Sequence, residues 1–121
     1  MENIAIIRDL IASAIAYEKE FEQANRISFN ETLILVSLTK KRLNATEIAK
    51  VNSLRASHCS KVLSKLEKKW LIERVVDNKD KRKMYFTITK EGSMLLSRMK
   101  YTNIELPQNL KGYLDFFGES R

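Results

Sequence analysis

The sequence predicts a mainly α fold with one small β-hairpin, an α+β arrangement, on three observations. Apolar residues recur at helical spacing through most of the chain. Two short runs rich in β-branched and aromatic residues lie close together in its second half. Only three Gly and one Pro interrupt 121 residues. That length suits a single domain, 1–121.

Residues 3–24 read as one helix, because Ile4, Ile7, Leu10, Ile11, Ala14, Ile15 and Phe21 follow helical spacing and Ile6 and Tyr17 widen the stripe. So wide an apolar surface predicts a helix shared between its own domain and a second subunit. Ser28-Phe29-Asn30-Glu31 has the form of a capping box and opens a second helix through about Thr39, with Leu33, Ile34, Val36 and Leu38 offered to the core. Lys40-Lys41-Arg42 places positive charge at its dipole-negative end.

Asn44, with Glu47 three residues on, caps a short third helix in which Ile48, Ala49 and Val51 face inward. After a turn at Asn52-Ser53, a fourth helix runs from about Leu54 to Lys69. Ala56, Cys59, Val62, Leu63 and Leu66 form its inner stripe. Arg55, Ser57, His58, Ser60, Lys61, Ser64, Lys65 and Lys68 form its outer face. Two short helices joined by a tight turn, the second basic and small-polar outside, describe a helix-turn-helix. Strands follow at 71–76 and 84–88, joined by the charged tip Asp77-Asn78-Lys79-Asp80-Lys81-Arg82-Lys83, a wing. Thr89 caps a fifth helix to about Tyr101, and Pro107 starts a last one carrying Leu110, Tyr113, Leu114, Phe116 and Phe117. The whole is a winged helix-turn-helix. Residues 28–89 form the binding lobe, and the helices of 3–27 and 90–121 are left for dimerisation.

The same composition narrows the chemistry. One Cys and one His, Cys59 and His58, exclude an internal disulfide, a cysteine-based zinc site and the usual nucleophilic triads; no enzyme, metal or cofactor is expected. Cys59 falls on the inner stripe as a structural thiol. No apolar run approaches the roughly 20 residues of a membrane span, and the N-terminus lacks a basic leader, so cytoplasm is the expected compartment.

The net charge of +7 is unevenly spread. Residues 40–90 hold 15 Lys/Arg against 5 Asp/Glu, a net of +10, and the remainder holds 7 against 10, a net of −3. A basic segment that coincides with a helix-turn-helix and a wing points to double-stranded nucleic acid.

The stretch from Leu43-Asn44-Ala45-Thr46-Glu47-Ile48-Ala49 through Leu66-Glu67-Lys68-Lys69-Trp70-Leu71-Ile72-Glu73-Arg74, then Asp80-Lys81-Arg82 and Ile88-Thr89-Lys90-Glu91-Gly92, resembles the multiple-antibiotic-resistance regulator (MarR) family. The Asp-x-Arg wing tip followed by a strand and a hydrophobic-Thr-x-x-Gly carries most of that resemblance. It implies a dimeric, sequence-specific transcriptional regulator of duplex DNA, with terminal helices at the interface, the fourth helix in the major groove and Arg82 in the adjacent minor groove, steadied by Asp80. The family's small-molecule effector pocket lies between the dimer helices and the DNA-binding lobe; the effector, if any, is not indicated. Three departures stand out. Trp70 sits where the family usually closes the recognition helix with Gly. Arg55 sits where a small capping residue is common, leaving Ser53 or Ser57 to cap. The length is closer to the staphylococcal accessory regulator group of the same superfamily.

The expected DNA-binding set is therefore Ser57, His58 and Lys61 on base edges, Arg55 and Lys65 on base edges or phosphate, Ser60 beside them, and Lys79, Asp80, Lys81, Arg82 and Lys83 at the wing. The expected homodimer interface is Ile4, Ile7, Ile11 and Ile15 with Leu110, Tyr113, Leu114 and Phe117, and its two-fold symmetry asks for a near-palindromic operator. Two other functions compete. A winged-helix protein–protein adaptor needs no DNA, but the basic wing and helix face favour DNA. RNA binding lacks stacking aromatics on the basic face.

Overall fold

A computed structural model describes residues 2–99. The order is α1 (Glu2–Asn25), α2 (Phe29–Ser37), α3 (Ala45–Val51), α4 (Ala56–Lys68), β1 (Ile72–Val76), β2 (Met84–Ile88) and α5 (Lys90–Arg98). The mainly α, winged arrangement is the one the sequence predicts. The helix expected after Pro107, with Leu110, Tyr113, Leu114 and Phe117, lies outside the described residues. Among those described, no helix is long and apolar enough to cross a membrane. The chain divides into two units, one containing α1 and the other spanning Phe29–Met99.

In the second unit α2 packs on α3, α4 and α5, and α4 packs on α3 and β1. Ile34, Leu35, Leu38, Leu43, Ile48, Cys59, Val62, Leu63, Leu66, Leu71, Ile72 and Phe86 are buried there. Burial of such side chains from every element of the unit except α5 holds the helix-turn-helix and the wing together. The strands pair antiparallel, Ile72 opposite Ile88 and Val76 opposite Met84. Leu43 adds a bridge to Phe86, with N–H to carbonyl bonds in both directions, 3.2 and 2.8 Å, so the wing root is tied to the segment before α3.

Several local expectations are corrected. Val36 and Val51, assigned to the core, are exposed, and Leu35 is buried instead. Ala56 is exposed rather than part of the inner stripe of α4. Helix α2 stops at Ser37, so Lys40-Lys41-Arg42 lies beyond its last turn and does not serve its dipole. Helix α4 begins at Ala56, not Leu54, because 52–54 is consumed in closing α3. There Ser53 N–H reaches the Lys50 carbonyl at 3.3 Å and Leu54 N–H the Ala49 carbonyl at 2.8 Å, with Ser53 at φ 53°. This paired closure satisfies carbonyls a helix end would otherwise strand. Helix α5 ends at Arg98, where Met99 turns to extended backbone.

Helix α4 closes in the same way. Trp70 N–H bonds to the Glu67 carbonyl at 3.0 Å and Leu71 N–H to the Leu66 carbonyl at 3.1 Å, with Trp70 at φ 60°. Leu66 and Leu71 are both buried, the apolar contact that accompanies this motif. Trp70 therefore adopts the left-handed conformation that glycine would take without strain, rather than ending the helix differently.

Within the α1 unit, Phe21 is buried and its ring lies 6.3 Å from that of Tyr17. Ile4, Ile7, Ile11 and Ile15, spaced three and four apart, form a stripe along the helix, and all are more than half exposed.

Candidate nucleic-acid interface

Asn44 caps α3, the first helix of the helix-turn-helix. Its side chain accepts from Glu47 N–H at 2.8 Å, and Glu47 Oε1 accepts from Asn44 N–H at 2.9 Å, the reciprocal capping box expected there. The N-cap of α4 is Arg55, whose backbone is extended and whose side chain makes no capping bond. Neither Ser53 nor Ser57 takes that position. The Arg55 guanidinium is left exposed at the start of the helix.

Along α4 the two faces separate cleanly. Cys59, Val62, Leu63 and Leu66 are buried, while Arg55, Ser57, His58, Ser60, Lys61 and Lys65 are all exposed. Burial raises the Cys59 thiol pKa, and its Sγ approaches the Ala45 carbonyl at 3.9 Å, so it packs as a neutral group. Ser60 also lines a cleft of about 180 Å³ between α4 and the wing root, with Ser64, Arg74 and Met84. His58 is not free: Asn30 Nδ2, on α2, lies at hydrogen-bonding distance from its Nε2, 3.1 Å. The C-terminal end of α4 is held by Lys69 Nζ, 2.8 Å from Glu31 Oε2.

The wing tip is ordered by its own carboxylates. Asp77 Oδ1 accepts from Lys79 N–H at 2.9 Å, and Asp77 N–H bonds to the Lys83 carbonyl at 3.0 Å. Asp80 Oδ1 accepts both the Arg82 backbone N–H at 3.0 Å and Arg82 Nε at 3.1 Å, and Oδ2 accepts the guanidinium at 3.4 Å. The Arg82 side chain is nonetheless 91% exposed. Those bonds from Arg82 hold the Asp80 carboxyl below its ordinary pKa. Lys79, Lys81 and Lys83 are exposed around it.

The β2–α5 junction joins the wing to the end of α4. Thr89 Oγ1 accepts Gly92 N–H at 3.0 Å as the cap of α5, and donates to the Trp70 carbonyl at 2.7 Å. A Cβ on Gly92 would collide with the Leu71 carbonyl oxygen and come within 2.7 Å of Ile88 Cγ1. The Thr-x-x-Gly pattern thus records a hydroxyl that bridges two elements and a backbone approach with no room for a side chain.

Three side chains were not singled out by their sequence context. Arg42 stacks over Tyr85 at 4.3 Å and lies 4.0 Å from Asp77, and so supports the wing. Arg74 pairs with both oxygens of Glu67, at 2.7 and 3.0 Å, and lies over Phe86. Asn30 grips His58 from 28 positions away. Only the proximity of Arg74 to Glu67, seven residues apart, gave any local signal.

The model of the winged helix DNA-binding domain matches residues 28–92, more than half of the chain. The chain belongs to that family. Among solved structures, the MarR family transcriptional regulator Sco3205 of Streptomyces coelicolor, in complex with DNA, is 27% identical, with 81% of this chain and 68% of that chain covered at a TM-score of 0.69. A cysteine-to-serine mutant of MarR from E. coli, complexed with operator DNA, is 17% identical over 98% of this chain and 94% of its own, with a TM-score of 0.78. The transcriptional regulator BldR of Sulfolobus solfataricus is 20% identical, with coverages of 98% and 96% and a TM-score of 0.71. The last two show the shared fold. No curated protein sequence matches the chain significantly. The chain thus carries a winged helix DNA-binding domain, and its fold is similar to that of MarR family transcriptional regulators.

Proposed function

We propose that this protein acts in the cytoplasm as a homodimer on a near-palindromic operator, with α4 in the major groove and the wing tip in the adjacent minor groove. The observation that carries the reading is the split of α4. Cys59, Val62 and Leu63 are consumed by the core, and apart from Ala56 and the His58 ring everything the helix offers outward from Arg55 through Lys65 is small-polar or cationic. Small side chains let a helix approach base edges closely, and Lys and Arg pair with guanine or phosphate.

Residues 28–89 are the DNA-binding lobe. On α4, Ser57, His58 and Lys61 read bases, Ser60 packs close beside them, and Arg55 and Lys65 take base edges or phosphate. Lys79, Lys81 and Lys83 contact phosphate, while Arg82, oriented by Asp80, enters the minor groove. A planar, weakly hydrated guanidinium suits a narrow groove better than an ammonium. The exposed Ile4, Ile7, Ile11 and Ile15 stripe supports α1 as one half of the dimer interface, since an apolar stripe of that length on a monomer calls for a cover. The C-terminal residues Leu110, Tyr113, Leu114 and Phe117 supply the other half.

The test is recovery of bound fragments when the purified protein is incubated with sheared genomic DNA. Enrichment of a few fragments sharing an inverted repeat is expected. Enrichment no better than the input would defeat the reading.

A further inference from the structure

The α4 surface is not anchored by the hydrophobic core alone. Two consecutive residues in the first turn of α2 reach it. Asn30 Nδ2 lies at hydrogen-bonding distance from His58 Nε2, 3.1 Å, and Glu31 Oε2 accepts from Lys69 Nζ at 2.8 Å. His58 lies in the first turn of α4 and Lys69 is its C-cap, eleven residues or about three turns further on. Helix α2 is itself fixed by Ile34 and Leu35, which are fully buried. The helix that faces outward is thus braced at both ends from one point.

The first of these braces has a chemical consequence. An asparagine NH₂ can only donate, so the nitrogen facing it must carry a lone pair. A neutral imidazole has one N–H, which then resides on Nδ1. An exposed histidine without such a partner samples both tautomers and several ring rotations. Here the ring is held with one donor to offer, and one donor suits one acceptor. The major-groove acceptors are purine N7, guanine O6 and thymine O4, and N7 is the one that both purines present.

We propose that Asn30 is a positioning residue for base readout, and that by occupying His58 Nε2 it makes the His58 ring a fixed Nδ1–H donor to a purine N7 in the operator. The proposal rests on the DNA-binding reading above. It adds a specificity determinant outside the helix-turn-helix and names the base atom read.

The experiment uses the full chain and its recovered operator, with purines replaced one at a time by 7-deaza analogues, which keep pairing but lack N7. Wild type, Asn30→Ala, His58→Ala and the double variant are titrated against operator and against unrelated duplex. Wild type should lose about tenfold in affinity at one symmetry-related pair of purines. Each single variant should lower the ratio of operator to unrelated-duplex affinity by a similar factor, should no longer respond to 7-deaza replacement at that pair, and the double variant should be no worse than either. Additive losses, or full 7-deaza sensitivity retained in Asn30→Ala, would overturn the proposal. So would an equal fall in both affinities on Asn30→Ala, the mark of a merely structural role. A wild type with no preference for any duplex would instead defeat the DNA-binding reading itself.

Discussion

At the scale of single residues, Trp70 shows strain where Gly was the expected choice. A left-handed backbone costs a residue with a Cβ about 1–2 kcal/mol, and Trp70 holds φ 60° while the residue is 76% exposed. Little burial offsets that cost, and the hydrogen bonds that need the position are made by backbone atoms. Trp70→Gly should therefore raise stability by about 1 kcal/mol, read as a higher denaturation midpoint; a lower midpoint would mean the ring packs more than its exposure suggests. At the wing the opposing forces are charge and geometry. Asp80 is an acidic group on the tip proposed to face DNA, so simple electrostatics has Asp80→Ala tighten binding. Its bonds to the Arg82 backbone and guanidinium argue the reverse, because a held guanidinium loses less freedom on insertion. Asp80→Ala should weaken operator binding. Arg82→Lys should weaken it by about 1–3 kcal/mol, the range for one specific contact, while Lys81→Arg should do little. Titrations of the three variants at one salt concentration decide between charge and geometry. The lowered Asp80 pKa sets the pH window: the grip is complete above the ordinary carboxylate range and is lost as pH falls through the depressed value.

At the scale of elements, Gly92 governs how the wing returns to the helices. Its Cα lies so close to the Leu71 carbonyl and Ile88 that even a methyl group forces backbone or side chain to move. Gly92→Ala should destabilise the lobe by about 1–3 kcal/mol, the usual cost of overpacking, seen as a lower midpoint and a faster-exchanging Thr89 amide. That element order was legible in the sequence for physical reasons. The Asn44–Glu47 box, the Thr89 cap and the strand at 84–88 are local signals, made within a few residues, and each forms as expected. What failed was also local in origin. Val36 and Val51 were assigned inward because they are apolar, yet both lie on the outer side of their helices, and periodicity alone cannot place a short helix on its axis. The start of α4 was misplaced by two residues because the closure of α3 consumes Ser53 and Leu54 through bonds to earlier carbonyls. Within the candidate site, the outer face of α4 was legible from spacing and the Asp80–Arg82 pair from the family resemblance. The partners of His58 and Arg42 were not, because Asn30 and Tyr85 are brought to them by tertiary packing.

At the scale of the whole molecule, the net +10 of residues 40–90 and the exposed α1 stripe act on different terms of one binding equilibrium. Phosphate neutralisation releases counterions, so affinity falls with salt at a slope set by the number of contacts. A dimer making roughly 6–10 phosphate contacts should lose on the order of 10³–10⁵ in affinity between 50 and 200 mM salt. Dimerisation determines whether those contacts come from one lobe or two. Aspartate at Ile7 and Ile11 puts charge into the middle of the exposed stripe and leaves the sequence of the Phe29–Met99 unit, which holds the helix-turn-helix and wing, unchanged. The double variant Ile7→Asp, Ile11→Asp should thus be a folded monomer by light scattering and circular dichroism. Each monomer carries half the contacts, so its logarithmic salt slope should be about half that of wild type, and it should no longer distinguish an inverted repeat from a single half-site. A variant that stays dimeric, or a monomer with the full slope, would remove α1 from the interface and leave the isoleucine stripe to some other partner.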